Sequence, residues 1–363
     1  MVFPESVSPE GVFSDNYAEA RQRFLATATQ AGAELTTFRH PGVTDSNGGA
    51  LHVDLARLGP ATAGRALLCV SGTHGVEGYA GSACQLALLC AAVPADTSVL
   101  LVHVLNPYGF AYRRRVNEDN VDLNRNFVDH TDPPPNTDYA HVHPALVPAD
   151  WDGAVRRAAD ERLMHLAAEY GTRRLQAVIT YGQWTHADGL FYGGNRPAWS
   201  HQVFRTVVDE QLRGHRRIAY VDLHTGLGAW GRGEPIFRGG AGSDVLGRAR
   251  AWYGPELTVP AQDTSSSTPI TGNTAHGVIE ALSEGQELTA ITLEFGTLAG
   301  PEVLDALRAD NWLHLQPDPP AALAEAIKYR ISAAFYPSED SWRRAVLDRS
   351  REVFNQAFAG LAR

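Results

Sequence analysis

The chain is expected to fold as an α/β protein, with a mixed, mostly parallel twisted sheet and helices on both faces. Two observations predict this. Short β-branched or aliphatic runs alternate with stretches of helical periodicity along the 363 residues. Five of the runs also end in a polar, glycine-containing segment, as strands do where an open α/β sheet gathers its cleft.

The candidate strands are residues 66–70, 98–105, 176–180, 219–223 and 290–293. After the first comes Ser71-Gly72-Thr73-His74-Gly75-Val76-Glu77-Gly78. After the second comes Asn106-Pro107-Tyr108-Gly109, and after the third Tyr181-Gly182-Gln183-Trp184. His224-Thr225-Gly226 follows the fourth and Glu294-Phe295-Gly296-Thr297 the fifth. Helices are expected over 15–31, 79–92, 153–170, 199–213, 301–308, 320–335 and 341–361. Ser341 is placed to cap the last, with Arg343 and Arg344 on its solvated face. Long loops are expected at 129–150, which contains Pro133-Pro134-Pro135, and at 261–277, which is rich in Ser and Thr. No linker or internal repeat divides the chain. One domain over 1–363 is expected, with a motif core at about 66–297 and C-terminal helices at 301–361 packed on it.

Composition narrows the function. At 44% apolar and 20% charged, the chain has ample material for a core. A net charge of −10 argues against nucleic-acid or anionic-membrane partners. It leaves room for an anionic small substrate met by local arginines. Cys69, Cys84 and Cys90 are too few and too unpatterned for a disulfide framework, and are expected as buried free thiols. The first 17 residues lack the apolar stretch of a secretory signal. No apolar run approaches the roughly 20 residues of a membrane span. A cytoplasmic location is expected, where thiols stay reduced.

The chemistry centres on His74 and Glu77. Imidazole and carboxylate both bind zinc, and a catalytic zinc keeps three protein ligands and an open position. His224, just past an apolar strand, is the candidate third ligand. Glu294 is the candidate base, since a carboxylate at an apolar strand end is costly to bury unless paired or functional. Arg113-Arg114-Arg115 precedes Asp122-Leu123-Asn124-Arg125-Asn126-Phe127, and an Asn-Arg pair suits a substrate carboxylate.

Taken together, His74-x-x-Glu77, Asn106-Pro107-x-Gly109, Arg115, the Asp122–Phe127 segment, His224 and Glu294-Phe295-Gly296-Thr297 occur in the order seen in the zinc carboxypeptidases. The chain resembles a bacterial branch of that superfamily. It shares Asp-Leu-Asn-Arg and Asp-Leu-His-Thr with the succinylglutamate desuccinylases and aspartoacylases. The resemblance implies a zinc carboxypeptidase-like fold and one Zn2+ ion held by His74, Glu77 and His224. Glu294 would be general base and then acid. Arg115 would polarise the scissile carbonyl, its neighbours Arg113 and Arg114 leaving that assignment open by a position. Asn124 and Arg125 would hold the substrate's terminal carboxylate, and Asp122 would orient a histidine ligand, His74. The pattern departs at one point: between His224 and Glu294 the only tyrosine is Tyr253, far from Glu294 in sequence, and Tyr181 and Tyr192 are the other candidates for the family's mobile tyrosine. The expected activity is hydrolysis of an amide next to a free carboxylate, on a small peptide or an N-acyl amino acid. A catalytically silent binding protein is the reading from a different class. A separate metal site at His141-Val142-His143 ranks below a surface loop.

Overall fold

The computed structural model describes residues 9–363. The reading that the N-terminus carries no secretory signal rests in part on residues 1–8, outside the described residues. Seven strands form one sheet: β1 Glu34–Thr44, β2 Ala50–Leu58, β3 Arg65–Val70, β4 Thr97–His103, β5 Arg217–Gly226, β6 Gly233–Phe237 and β7 Glu287–Gly296. Their order is β1-β2-β4-β3-β5-β7-β6. The central β4, β3, β5 and β7 run parallel, and β1, β2 and β6 pair antiparallel at the two sides. The sheet is therefore mixed, as expected.

The parallel strands are apolar almost throughout because helices cover both faces. One face packs Leu67, Cys69, Val221 and Ile291 against helices Gly78–Leu89 and Asp340–Leu361. The other packs Leu68, Val70, Tyr220 and Ala290 against helices Trp199–Gln211 and Thr274–Ala281. Each strand's odd and even residues thus go to opposite layers. A third apolar cluster joins helices Tyr139–Leu146, Thr172–Thr180, Gly300–Leu315 and Ala321–Phe335, and reaches Val76 beside the cleft.

Several expectations are corrected. Residues 176–180 are the end of a helix, Thr172–Thr180, and not a strand. Its Val-Ile-Thr run is strand-like in composition, yet Leu175, Val178 and Ile179 are the buried positions, at helical spacing. Four of the five expected strands remain. The expected loop at 129–150 contains helix Tyr139–Leu146, and the one at 261–277 runs into helix Thr274–Ala281. The last helix begins at Asp340 with Glu339 as its cap residue, so Ser341 lies inside it. Cys69 and Cys84 are buried free thiols, but Cys90 is exposed at its helix end. No helix among the described residues is long and apolar enough to cross a membrane.

His103, at the end of β4, is a buried base in this core. Its ring stacks on Phe24 at 4.2 Å, and Nε2 lies 2.9 Å from Ser82 Oγ while Nδ1 has no partner. Burial pushes its pKa down to about 4. The unfolded chain takes up this proton near 6.5 and the folded chain only near 4, so stability falls as pH drops through that window. The melting temperature is expected to decline from pH 6.5 to pH 4, and less steeply in His103→Phe. Equal slopes in the two proteins would remove His103 as a cause.

Candidate metal centre

The first two ligands sit on the loop after β3. That loop is pressed against the segment after β4: Gly75 N–H donates to Arg115 O at 3.1 Å and Val76 N–H to Arg114 O at 2.8 Å. A Cβ on Gly75 would lie 1.9 Å from the Gly109 carbonyl carbon, so only glycine fits there. Asn106 holds the facing turn, accepting from Gly109 N–H at 2.8 Å and donating to Arg115 O at 3.2 Å. The glycines and the asparagine therefore set where His74, Glu77 and Arg115 meet.

The other side comes from sheet register. β5 and β7 are parallel, with His224 directly beside Glu294 and Asp222 beside Thr292. Residues two apart share a face, so Asp222, His224, Thr292 and Glu294 stand on one face of the sheet, the last three lining the cleft.

His74, Glu77 and His224 are all buried, and their ligand atoms lie within 4.8 Å of one another. His74 Nδ1 is 2.9 Å from Glu77 Oε1, and His224 Nδ1 is 2.9 Å from Glu77 Oε2. The two Nδ1 atoms are 3.1 Å apart. Three donors around an ion at ~2.0–2.1 Å would be separated by roughly 3.4 Å, so the spacing is close to that of a filled site. Behind the rings stand two carboxylates. His74 Nε2 is 3.0 Å from Asp122 Oδ1, and His224 Nε2 is 2.8 Å from Asp222 Oδ2, though out of line for a good hydrogen bond. Carboxylates there favour a proton on each Nε2 and leave the two Nδ1 lone pairs facing each other. Such lone pairs repel unless a cation sits between them. Burial disfavours charge on His224, yet Asp222 and Glu77 outweigh it and raise its pKa to about 10. The donor set thus calls for positive charge at this point, and a divalent ion fits it.

Asp222 was missed from the sequence, although its position two residues before His224 on a strand was a usable signal. Thr73 and Thr274 hydroxyls hold it, each at 2.8 Å.

Glu294 is buried, and its Oε1 accepts from Leu227 N–H at 3.0 Å. Burial, and then the nearby Glu77, push its pKa up to about 7. The arginine run resolves by contact. Arg113 points to Asp15 O and Arg114 pairs with Asp310. Arg115 alone lines the cleft, with Nη1 3.1 Å from Glu77 Oε1 and Nε 3.1 Å from Asp122 Oδ2.

Asn124 and Arg125 also line the cleft. Asn124 Oδ1 accepts from Thr274 N–H at 3.0 Å. Arg125 is buried, donates to Thr180 O and Asn124 O, and lies 3.9 Å from Asp122. Burial lowers its pKa to about 10, still a cation at neutral pH. Two further cleft residues were not foreseen. Phe191 holds a left-handed backbone, φ 55°, and lies under both guanidiniums, 5.1 Å from Arg115 and 5.4 Å from Arg125. Arg238, just past β6, donates to Thr292 Oγ1 and Ser267 Oγ at 3.2 and 3.3 Å. It makes no ion pair among the described residues.

Tyr253 is buried in the core, and neither it nor Tyr181 nor Tyr192 lines the cleft. His143 faces Asp188 at 3.2 Å and His141 is exposed. Among the described residues, His74, Glu77 and His224 are the one group of three placed to share an ion.

The family model described as "Protein of unknown function (DUF2817)" matches residues 13–349. The chain belongs to this family. No functionally curated protein matches it in sequence. Among solved structures it is similar to carboxypeptidase A from Helicoverpa armigera, at 13% identity over 92% of this chain and 78% of that one, with a TM-score of 0.44. It is also similar to bovine thrombin-activatable fibrinolysis inhibitor, at 10% identity over 90% and 99%, TM-score 0.43. A succinylglutamate desuccinylase/aspartoacylase from Rhodobacter sphaeroides matches at 14% identity over 77% and 64%, TM-score 0.38. These are proteins of the groups that the DUF2817 chain resembles in its motifs. With identities and TM-scores this low, the chemistry rests on the side chains of the cleft.

Proposed function

We propose that the protein is a zinc-dependent hydrolase of an amide bond next to a free carboxylate. The observation that carries this is the meeting of His74, Glu77 and His224 with Glu294, held beside His224 by strand register. Two imidazoles and a carboxylate are a common ligand set for catalytic zinc. When bound, such an ion lowers the pKa of a water from ~15.7 to ~7 and polarises a carbonyl. Glu294 takes the proton of the attacking water and passes it to the leaving amine, a task suited to a carboxyl titrating near neutrality. Arg115 faces the charge that builds on the carbonyl oxygen. Arg125, Asn124 and Arg238 offer cations and an amide to the substrate's carboxylate. The free thiols of Cys69 and Cys84 suit a cytoplasmic location.

Within this activity, a single amino acid is favoured as the leaving group, from an N-acyl amino acid or from a peptide's C-terminus. The space at the ligand cluster is only about 80 Å3 and is walled by Arg125, Arg238 and Ile270. That suits a single amino acid as leaving group.

The test is a panel of N-acyl amino acids and dipeptides assayed with purified protein, before and after chelation and zinc repletion. Amino-acid release that chelation stops and zinc restores is expected, with about one zinc per chain. Metal-free protein that cleaves the same compounds equally well would refute the reading.

A further inference from the structure

A second cavity lies beside the metal cleft. Its volume is about 670 Å3, inside the range of about 300–1,000 Å3 typical of small-ligand sites. It lies among helices Ala154–Tyr170, Thr172–Thr180 and Gly300–Leu315. Leu163, Ala167, Leu175, Ile179 and Leu304 line it. Phe191, Leu227, Val303 and Leu307 belong both to its wall and to that of the metal cleft, so the two spaces adjoin across these four side chains. Met164, at its edge, is 64% exposed, unusual for so apolar a side chain on a helix.

Most polar side chains on this wall are already engaged. Arg156 and Arg308 pair with Asp160 and Asp305. Gln176 Nε2 donates to Ser266 O, and Thr180 Oγ to Gln176 O. A peptide backbone laid here would find few protein partners for its own N–H and C=O groups along the apolar wall. A hydrocarbon chain brings no such groups.

We propose that this cavity is an acyl-chain site, and that the substrate is an amino acid N-acylated by a medium or long hydrocarbon chain. The carboxylate of the amino acid faces the arginines of the cleft, and the acyl chain runs from the scissile carbonyl past Phe191 and Leu307 into the cavity. This rests on the hydrolase reading above for the position of the scissile bond, and the cavity itself is an independent observation.

The experiment uses the zinc-loaded full chain and one head group. N-acetyl-, N-octanoyl- and N-dodecanoyl-L-glutamate are compared with Leu-Leu-Glu, and binding of dodecanoate and octanoate is measured by calorimetry. Each buried methylene strengthens apolar binding by up to about fourfold, so kcat/KM is expected to rise at least about 100-fold from acetyl to dodecanoyl. Dodecanoate is expected to bind at least about tenfold tighter than octanoate. Ala167→Trp fills the cavity and is expected to cut the dodecanoyl-to-acetyl ratio at least about tenfold, with weaker dodecanoate binding. Leu163→Trp, one turn away, gives the same test should the first variant fail to fold. Dodecanoate binding that is lost in these variants, with no compound hydrolysed, would keep the acyl site and sink the hydrolase reading. Hydrolysis indifferent to chain length, or faster on Leu-Leu-Glu than on the dodecanoyl compound, without dodecanoate binding, would overturn the acyl site and leave the hydrolase reading standing.

Discussion

Glu294→Gln is expected to bind zinc as the unaltered protein does and to lose about 10²–10⁴-fold in turnover, the usual contribution of a positioned general base. Gln has the same shape and can still accept from Leu227 N–H, so the end of β7 keeps its place. It cannot take a proton. Nor should the fold suffer, because the carboxylate is buried close to Glu77, whose charge raises its pKa. Removing one of two neighbouring buried acids relieves repulsion, so the melting temperature of the metal-free variant is expected to hold or rise. Single-turnover rates with a zinc assay would check both halves. A variant that turns over normally removes Glu294 from the chemistry, and one that loses zinc makes it part of the ligand set.

His224→Ala is expected to give the largest loss of bound ion. The alanine removes one of three donors, and it also strips Asp222 and Glu77 of the cation they share. Glu77 keeps Arg115, but Asp222 is left with hydroxyl partners alone, and stranding a buried charge in this way typically costs about 3–5 kcal/mol. The variant should therefore melt well below the unaltered protein even without zinc, and added zinc should no longer raise its melting temperature. Stabilisation by a ligand follows its concentration relative to Kd, so a zinc titration of the melting temperature reads the affinity directly. Normal zinc-dependent stabilisation of His224→Ala would exclude the proposed ligand set.

Much of the cleft was legible because its residues follow strong strands at short, fixed offsets. His74 and Glu77 come four and seven residues after β3, while His224 and Glu294 lie near the ends of the apolar strands β5 and β7. What the sequence concealed was long-range. Arg238 enters from β6, a five-residue strand containing Pro235 whose place is set by pairing with β7 rather than by its own pattern. Phe191 comes from an irregular segment with a left-handed residue that no periodicity announces. β1 was missed for a different reason: it is largely exposed, with no clean alternation of apolar residues. The 176–180 segment misled because β-branched residues sit on the buried stripe of a helix, where tertiary packing overrides propensity. Its last carbonyl, Thr180 O, still ends in the cleft, where it receives Arg125.

The contact of Gly75 with Gly109 bears on how quickly the centre loads. Two loops that touch backbone to backbone have little room to swing apart, so the donors stand in position before any ion arrives. Uptake then requires only that the ion shed water and displace a proton from His224. Its rate should respond little to viscosity or mild denaturant, whereas a site assembled by folding around its ion would respond strongly to both.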